Sequence, residues 1–414
     1  MRDPGNIRIE DFDYLLPAER IAQFPLETRD SSKLLVYKDG CIADDRFSGI
    51  DQHLPKNCLL VFNNTRVIRA RLIFSKPTGG RIEIFCLEPM FPTAEIQQAF
   101  HQKSSSTWKC LVGNMKRWKS ETLTTECNTH GVTHQMFADL KTDCQDGTFE
   151  ISFKWSPPEK TFSEILELMG KIPLPPYINR QPVTSDNDRY QTVYARNEGS
   201  VAAPTAGLHF TPSLISQLRS KGIETENVTL HVGMGTFRSV VAEQIRDHLM
   251  HQEKIVISRN TIHQLLSNLN RPVIAVGTTS ARTLESLYWL GVSLILDHSG
   301  NHPVVSQWIP YQQNTERMIS VRQSLQAIIN YLDERKLDEF SGETQLMIVP
   351  GYQYRIISGL ITNFHFPKST LLLLVAAMIG DDWQRVYKHA LDNGYRFLSY
   401  GDSCLFFNAR LKLP

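Results

Sequence analysis

The chain of 414 residues holds no apolar run long enough to span a bilayer. Its most apolar stretch, Leu371 to Ile379, is about half of the roughly 20 residues such a helix needs. The first residues, MRDPGNIRIEDFDY, lack the apolar core of a secretory signal. Cysteine is scarce, seven in all, an odd number with no CxxC pair. Neither a disulfide framework nor a zinc knuckle is written here, and a reducing cytosol is the expected compartment. No excess of one charge exists: 44 Lys+Arg against 43 Asp+Glu leaves +1. That excludes a protein that coats nucleic acid by bulk charge, while leaving room for a local basic patch. Repeats and low-complexity tracts are also missing. What remains, 41% hydrophobic and 21% charged residues, is the composition of a globular protein. Single cores stop growing at roughly 250–300 residues, so two domains are expected, one inserted in the other.

Hydrophobic patterning divides the chain into 1–70, 71–157 and 158–414. In the first part, DFDYLLPAERIAQFP predicts a strand followed by a helical turn, and Leu34–Tyr37 and Leu59–Phe62 predict buried strands. From 71 to 157 the pattern changes to period two, as in Arg81-Ile82-Glu83-Ile84-Phe85 and Phe149 to Trp155, broken by Gly, Asn and Asp. An inserted antiparallel sheet or small barrel is expected there. LPPYINRQP (Leu174–Pro182) reads as an extended linker. Beyond about 200, strands (NVTLHV, Pro272–Val276, Gly359–Thr362) alternate with helices (SLISQLRSKG, ARTLESLYWL, STLLLLVAAMIG), which argues for a layered α/β domain. An extra helix is predicted over 320–336, with Val321, Leu325, Ile328, Ile329 and Leu332 on one face.

Four segments are too polar and too rich in glycine to be only core: Gly199–Phe210, His231–Phe237, Val276–Ser286 and Thr362–Thr370. Three of them link a strand to a helix, where open α/β sheets bind ligands. Free amides at the start of the helix after Gly277, with Thr278, Thr279, Ser280 and Arg282, would attract a carboxylate or phosphate. An ordinary Ser/Thr cap accounts for the same residues equally well. Asn363 and His365 follow a strand, and Lys368 opens a helix, where its charge opposes the dipole and calls for an anionic partner. HVGMGTF matches neither GxxxxGK nor GxGxxG. Its glycines would let backbone approach a flat ligand, or simply form a turn. His209, His231, His251 and His365 lie in or beside these segments as candidate proton carriers, and Glu253 stands near His251. A lone histidine is more often structural. For RNA, the run Met115–Lys119 offers Lys116, Arg117 and Lys119 around Trp118, a ring able to stack on a base, unless it is only a charged hairpin tip. Arg66, Arg69 and Arg71 are expected on one face of a strand, spaced for phosphates.

FNNTRVIRARL, LPPYI, RYQTVYA, GSVAAPTAGLHF, VTLHVGMGTF, HLMHQE, AVGTTSARTLES, PGYQYR, TNFHFPKSTLLLLV and YRFLSYGD occur in this order, from about Asp11 to Phe406. Together they resemble the S-adenosylmethionine:tRNA ribosyltransferase-isomerase family of queuosine biosynthesis. The resemblance implies a layered α/β domain with an inserted β-barrel. It also implies transfer and isomerisation of the ribosyl group of S-adenosylmethionine onto 7-aminomethyl-7-deazaguanine at the wobble position of a tRNA. The product would be epoxyqueuosine-tRNA, with adenine and methionine released. S-adenosylmethionine would be consumed as substrate, with no other cofactor and no metal, by a cytoplasmic monomer.

Carried onto this sequence, the chemistry asks for a base at C5′, with His209 or His231 in that role and Glu253 beside them. Thr278, Thr279 and Arg282 would take the methionine carboxylate, and Thr205, Gly233, Gly235 and Thr236 the nucleoside. Asn363, His365 and Lys368 would line the same pocket or hold an anticodon phosphate. Arg69 stands where the family usually has Pro, Met234 where it has a small Ala, and residues 292–345 exceed the family's length. A paralogue with altered RNA or small-molecule specificity, or a non-catalytic RNA-binding relic, are the competing readings.

Overall fold

The computed structural model describes residues 4–119, 121–233, 240, 242–296, 303–312 and 319–408. Among these, a ten-stranded sheet carries the main domain. Its order is Val304–Val305, Glu339–Thr344, Glu253–Ser258, Glu224–Leu230, Leu59–Asn63, Val273–Val276, Gly359–Asn363, Ser403–Phe407, Lys33–Lys38, Cys41–Arg46. The middle four, Glu224–Leu230 to Gly359–Asn363, are mutually parallel. Ser403–Phe407, Lys33–Lys38 and Glu253–Ser258 run against them. One edge of the sheet therefore gathers the carboxyl ends of the middle strands and the amino ends of these three.

The middle strands are apolar throughout because both their faces are covered. Leu59, Val61, Val273 and Ala275 point into a core beneath the helices Thr278–Leu296 and Thr370–Ile379. Leu60, Phe62, Ile274 and Val276 point the other way, toward Phe210 and toward Leu214 and Leu218 of the helix Pro212–Ser220. That helix starts as its sequence predicts: Thr211 Oγ1 accepts the Leu214 amide, and Pro212 fills the first turn.

The inserted unit is a closed six-stranded barrel, running from Arg71 to Ser156. In Arg81–Phe91 the inward residues Ile82, Ile84 and Cys86 alternate with more exposed ones, which is the period-two signal in the sequence. Helix Phe162–Met169, opened by a Thr161–Glu164 capping box, lays Phe162 on Trp108, Phe153 and Trp155. A short parallel pair, Thr65–Val67 with Asn197–Ser200, ties the barrel to the main sheet.

The extra helix exists, over Val321–Arg335, and buries Leu325, Ile328, Ile329 and Leu332. Two expectations are corrected. Residues 11–25 form no strand but two short 3-10 turns, Ile9–Phe12 and Ala18–Arg20, because Phe12 and Ala22 anchor the segment singly and Pro17 breaks any ladder. The helix predicted to end at Leu290 continues to Leu296.

Candidate active site

A cavity of about 770 Å³, counting its mouth, opens at the edge where the four parallel strands end. All four polar segments reach it. Ala202 to Ala206 come from the first, Val232 from the second, Gly277 to Thr279 from the third, and Thr362 to Phe366 with Ser369 from the fourth. Gly277 sits at φ +93°, which turns the chain from strand into helix at no steric cost. The first amides of the helix Thr278–Leu296 have no carbonyl partner within it and face this space. Tyr177 and Phe366 add aromatic faces, packed edge to face at 5.1 Å. No Asp, Glu, Lys or Arg is among the described lining residues. A cation here would be held by aromatic faces and hydroxyls, and a carboxylate by helix amides.

A polar relay leads out of the cavity. Thr205 Oγ1 donates to Asn363 Oδ1 at 2.9 Å. Asn363 Nδ2 donates to the Asp402 carbonyl at 3.3 Å, so this atom is the amide nitrogen. The same nitrogen meets His209 Nε2 at 3.1 Å, which must accept. Nδ1 of His209 then carries the proton and donates to Ser32 Oγ at 2.8 Å. Burial, with Arg396 and Arg29 nearby, lowers the His209 pKa to about 4. Both its nitrogens are engaged, and it lies behind Asn363 rather than on the cavity wall.

His231 is similarly placed beside the cavity. Its Nδ1 is 3.1 Å from Thr65 Oγ1, and burial, reinforced by Lys254, lowers its pKa to about 4. It fits because Gly199 has no side chain: a Cβ there would lie 2.7 Å from Nδ1. His365 does line the cavity. Its Nε2 meets Thr362 Oγ1 at 2.9 Å, and burial lowers its pKa to about 3. Its backbone is fixed by Tyr14, whose hydroxyl donates to the His365 carbonyl, and by the Tyr387 hydroxyl.

The remaining predicted residues separate. Thr205, Thr278, Thr279, Asn363 and His365 come together on the wall. Gly233 is exposed next to it, and Gly235 and Thr236 lie outside the described residues. Glu253 is not paired with His251, which is exposed. Its carboxylate is buried against Arg282 Nη1 at 2.5 Å. Arg282 accordingly faces away from the cavity, since leaving either charge unpaired in the interior would cost several kcal/mol. Lys368 finds its anion within the chain: Glu10 Oε2 at 2.7 Å and Asp13 Oδ2 at 3.1 Å.

Among the RNA-binding candidates, Trp118 is 3% exposed, packed in the barrel core with its Nε1 on the Glu121 carbonyl, so it presents no ring to a base. Lys116, Arg117 and Lys119 around it are exposed. Arg66, Arg69 and Arg71 form no common row, because the chain bends between Val67 and Arg71 to enter the barrel. Arg66 lies 4.0 Å from Glu167 and Glu198, Arg69 3.4 Å from Glu167, and Arg71 on Glu83. Sequence reasoning passed over Tyr177, Ser32 and Ser399. The LPPYI motif carried a signal for Tyr177, whereas a lone serine carries none.

A family model described as "Queuosine biosynthesis protein" matches residues 9–406. The chain is 38% identical to the S-adenosylmethionine:tRNA ribosyltransferase-isomerase of Aromatoleum aromaticum over 402 residues, 96% of this chain and 97% of that one. It is 37% identical to the enzyme of the same name from Halothermothrix orenii, over 96% of this chain and 99% of that one. A crystal structure of S-adenosylmethionine tRNA ribosyltransferase from Thermotoga maritima aligns with 95% of this chain at 28% identity and a TM-score of 0.45. Matched almost from end to end, with relatives more than a third identical, the chain belongs to the queuosine biosynthesis protein family.

Proposed function

We propose that this protein transfers and isomerises the ribosyl group of S-adenosylmethionine onto 7-aminomethyl-7-deazaguanine at the wobble position of a tRNA, giving epoxyqueuosine-tRNA, adenine and methionine. The observation that carries this reading is the convergence of four chain-distant turns on one cavity with no charged side chain among its described lining residues. A sulfonium nucleoside suits such a wall. Its purine and sulfonium can lie against Tyr177 and Phe366, and its carboxylate at the Thr278 amides.

The sulfonium acidifies the C5′ protons, and one must be removed before adenine leaves. His365 is the best placed base: of the histidines singled out by sequence, it alone lines the cavity, and burial keeps its ring neutral at neutral pH. Loss of that proton expels O4′ from C4′ to leave a C4′=C5′ bond, and adenine leaves C1′ as an aldehyde forms. The amine of the RNA base adds to C4′, the C5′ carbanion so formed adds to C1′, and the resulting alkoxide displaces methionine from C5′ as the epoxide closes. His209 supports Asn363 from behind. S-adenosylmethionine is consumed, with no resident cofactor. Action as a cytoplasmic monomer belongs to the same proposal. Separately, no described helix is long and apolar enough to cross a membrane.

The test is adenine release from S-adenosylmethionine by the purified protein. Release is expected only with tRNA carrying the aminomethyl-deazaguanine, and His365→Ala is expected to lower it by about 100-fold or more while S-adenosylmethionine still binds. Release with a different acceptor would favour the paralogue, and binding without release the relic.

A further inference from the structure

Beside the cavity lies a second cleft of about 290 Å³, walled by Arg29, Arg189, Ser32, His209, Ser399 and Tyr400. Ser399 lines both spaces, so they adjoin. Two buried or half-buried arginines elsewhere meet carboxylates, Arg180 on Asp186 and Arg282 on Glu253. The two arginines of this cleft do not. Arg29 donates to the carbonyls of Leu208 at 3.1 Å and Asp188 at 2.6 Å. Arg189 donates to those of Glu27 at 2.8 Å and Leu26 at 2.5 Å, and its buried Nε has no partner.

A third arginine, Arg396, stands near His209, on the Phe24 carbonyl, with a buried Nη1 unpartnered. Of the acidic groups on this side, Asp402 spends its carboxylate on the backbone amides of Lys33 and Arg396, and Asp188, which partly offsets the charge around Arg29, is exposed and forms no ion pair with it. Burial, together with Arg189, pushes the Arg29 pKa down, so the two guanidinium groups repel. Like charges held together, half-buried and short of hydrogen-bond acceptors, are unfavourable until an anion joins them.

We propose that this cleft is a phosphate subsite, holding a phosphodiester of the RNA beside the nucleotide that enters the cavity. The inference rests on the function proposed above. A nucleotide in the cavity carries phosphates on either side of it, and these must lie just outside its wall. Guanidinium forks suit phosphate oxygens. With a net charge of +1, phosphate binding has to come from local clusters such as this one. The methionine carboxylate is the rival anion, but the Thr278 amides within the cavity already offer it a place.

The experiment measures binding of an anticodon stem-loop RNA and of S-adenosylmethionine to wild-type protein and Arg189→Gln across a salt series. Arg189→Gln is expected to weaken RNA binding about ten-fold and to reduce the slope of log K against log salt by about one, with unchanged S-adenosylmethionine affinity. Unchanged RNA affinity and slope would overturn the proposal, and so would a loss confined to S-adenosylmethionine. Replacing each phosphate flanking the wobble nucleotide by a neutral methylphosphonate, with wild-type protein, gives a reading independent of the variant's folding. One position should lose affinity with wild-type protein, and a flat scan overturns the subsite. If the wild-type protein releases no adenine at all, the functional reading has failed; if it does and these binding results are flat, only the subsite has.

Discussion

At Asn363 a single amide decides the state of a histidine. Because its Nδ2 must donate to the Asp402 carbonyl, His209 Nε2 is an acceptor and the ring is held neutral. Replacing Asn363 by Asp reverses this: a carboxylate beside Nε2 favours the doubly protonated ring, and NMR titration should show the His209 pKa raised from about 4 toward its ordinary value or above. An unchanged value would mean that the amide does not set the tautomer. The same shift has a stability sign. The folded-state pKa of His209 lies below the unfolded value, so the unfolded chain takes up the proton first as pH falls. Stability from this group is full above about pH 6.5 and is lost down to about pH 4. Between pH 7 and 5 the loss is about 2 kcal/mol. In urea denaturation, His209→Asn should show a pH-induced loss smaller by roughly that amount. An equal loss in both proteins would refute the assignment.

At the scale of elements, the predicted helix ARTLESLYWL ends at Leu290, just before Gly291. In the fold it lies inside the helix Thr278–Leu296, where Val321–Arg335 crosses close by. A Cβ at Gly291 would stand 2.2 Å from the Ser324 carbonyl oxygen and Oγ, and Ser324 Oγ donates to the Tyr288 carbonyl at 2.6 Å. Gly291→Ala should therefore destabilise the protein by about 1–3 kcal/mol, through overpacking rather than helix propensity, with KM for S-adenosylmethionine unaffected. No loss of stability would show that the two helices separate without cost. Glycine has two opposite meanings in a pattern, a stop or a close approach, and periodicity alone does not separate them. Where caps were explicit, as at Thr211-Pro212 and Ser369, the starts were legible. The helix after Gly277 was equally legible, because its turn residue and hydroxyls stand directly after an apolar run.

At the scale of the molecule, the inserted barrel carries an exposed basic rim rather than an aromatic platform. Lys116, Arg117 and Lys119 are exposed around a buried Trp118. Changing all three to Ala should weaken tRNA binding and flatten its salt dependence by about 0.7–0.9 for each phosphate no longer neutralised, leaving S-adenosylmethionine affinity intact. Equal loss of both affinities would point to a damaged fold and remove the rim from the interface. A net charge near zero conceals this distribution, since charge balance is a sum and binding depends on place.

Periodicity and turn chemistry, which are local, determined the α/β class, the period-two barrel, most of the strands and the four polar turns that form the cavity wall. Directions and neighbours were beyond them. That Thr205, Gly277 and Asn363 meet depends on four parallel strands ending at one edge, and parallel order is set by crossovers and core packing rather than by any short segment. For the same reason only the tertiary structure separated His365, on the wall, from His209, behind Asn363, and turned Trp118 inward and Arg282 toward Glu253. A residue type states what a side chain can do, and the partners that folding brings to it fix what it does.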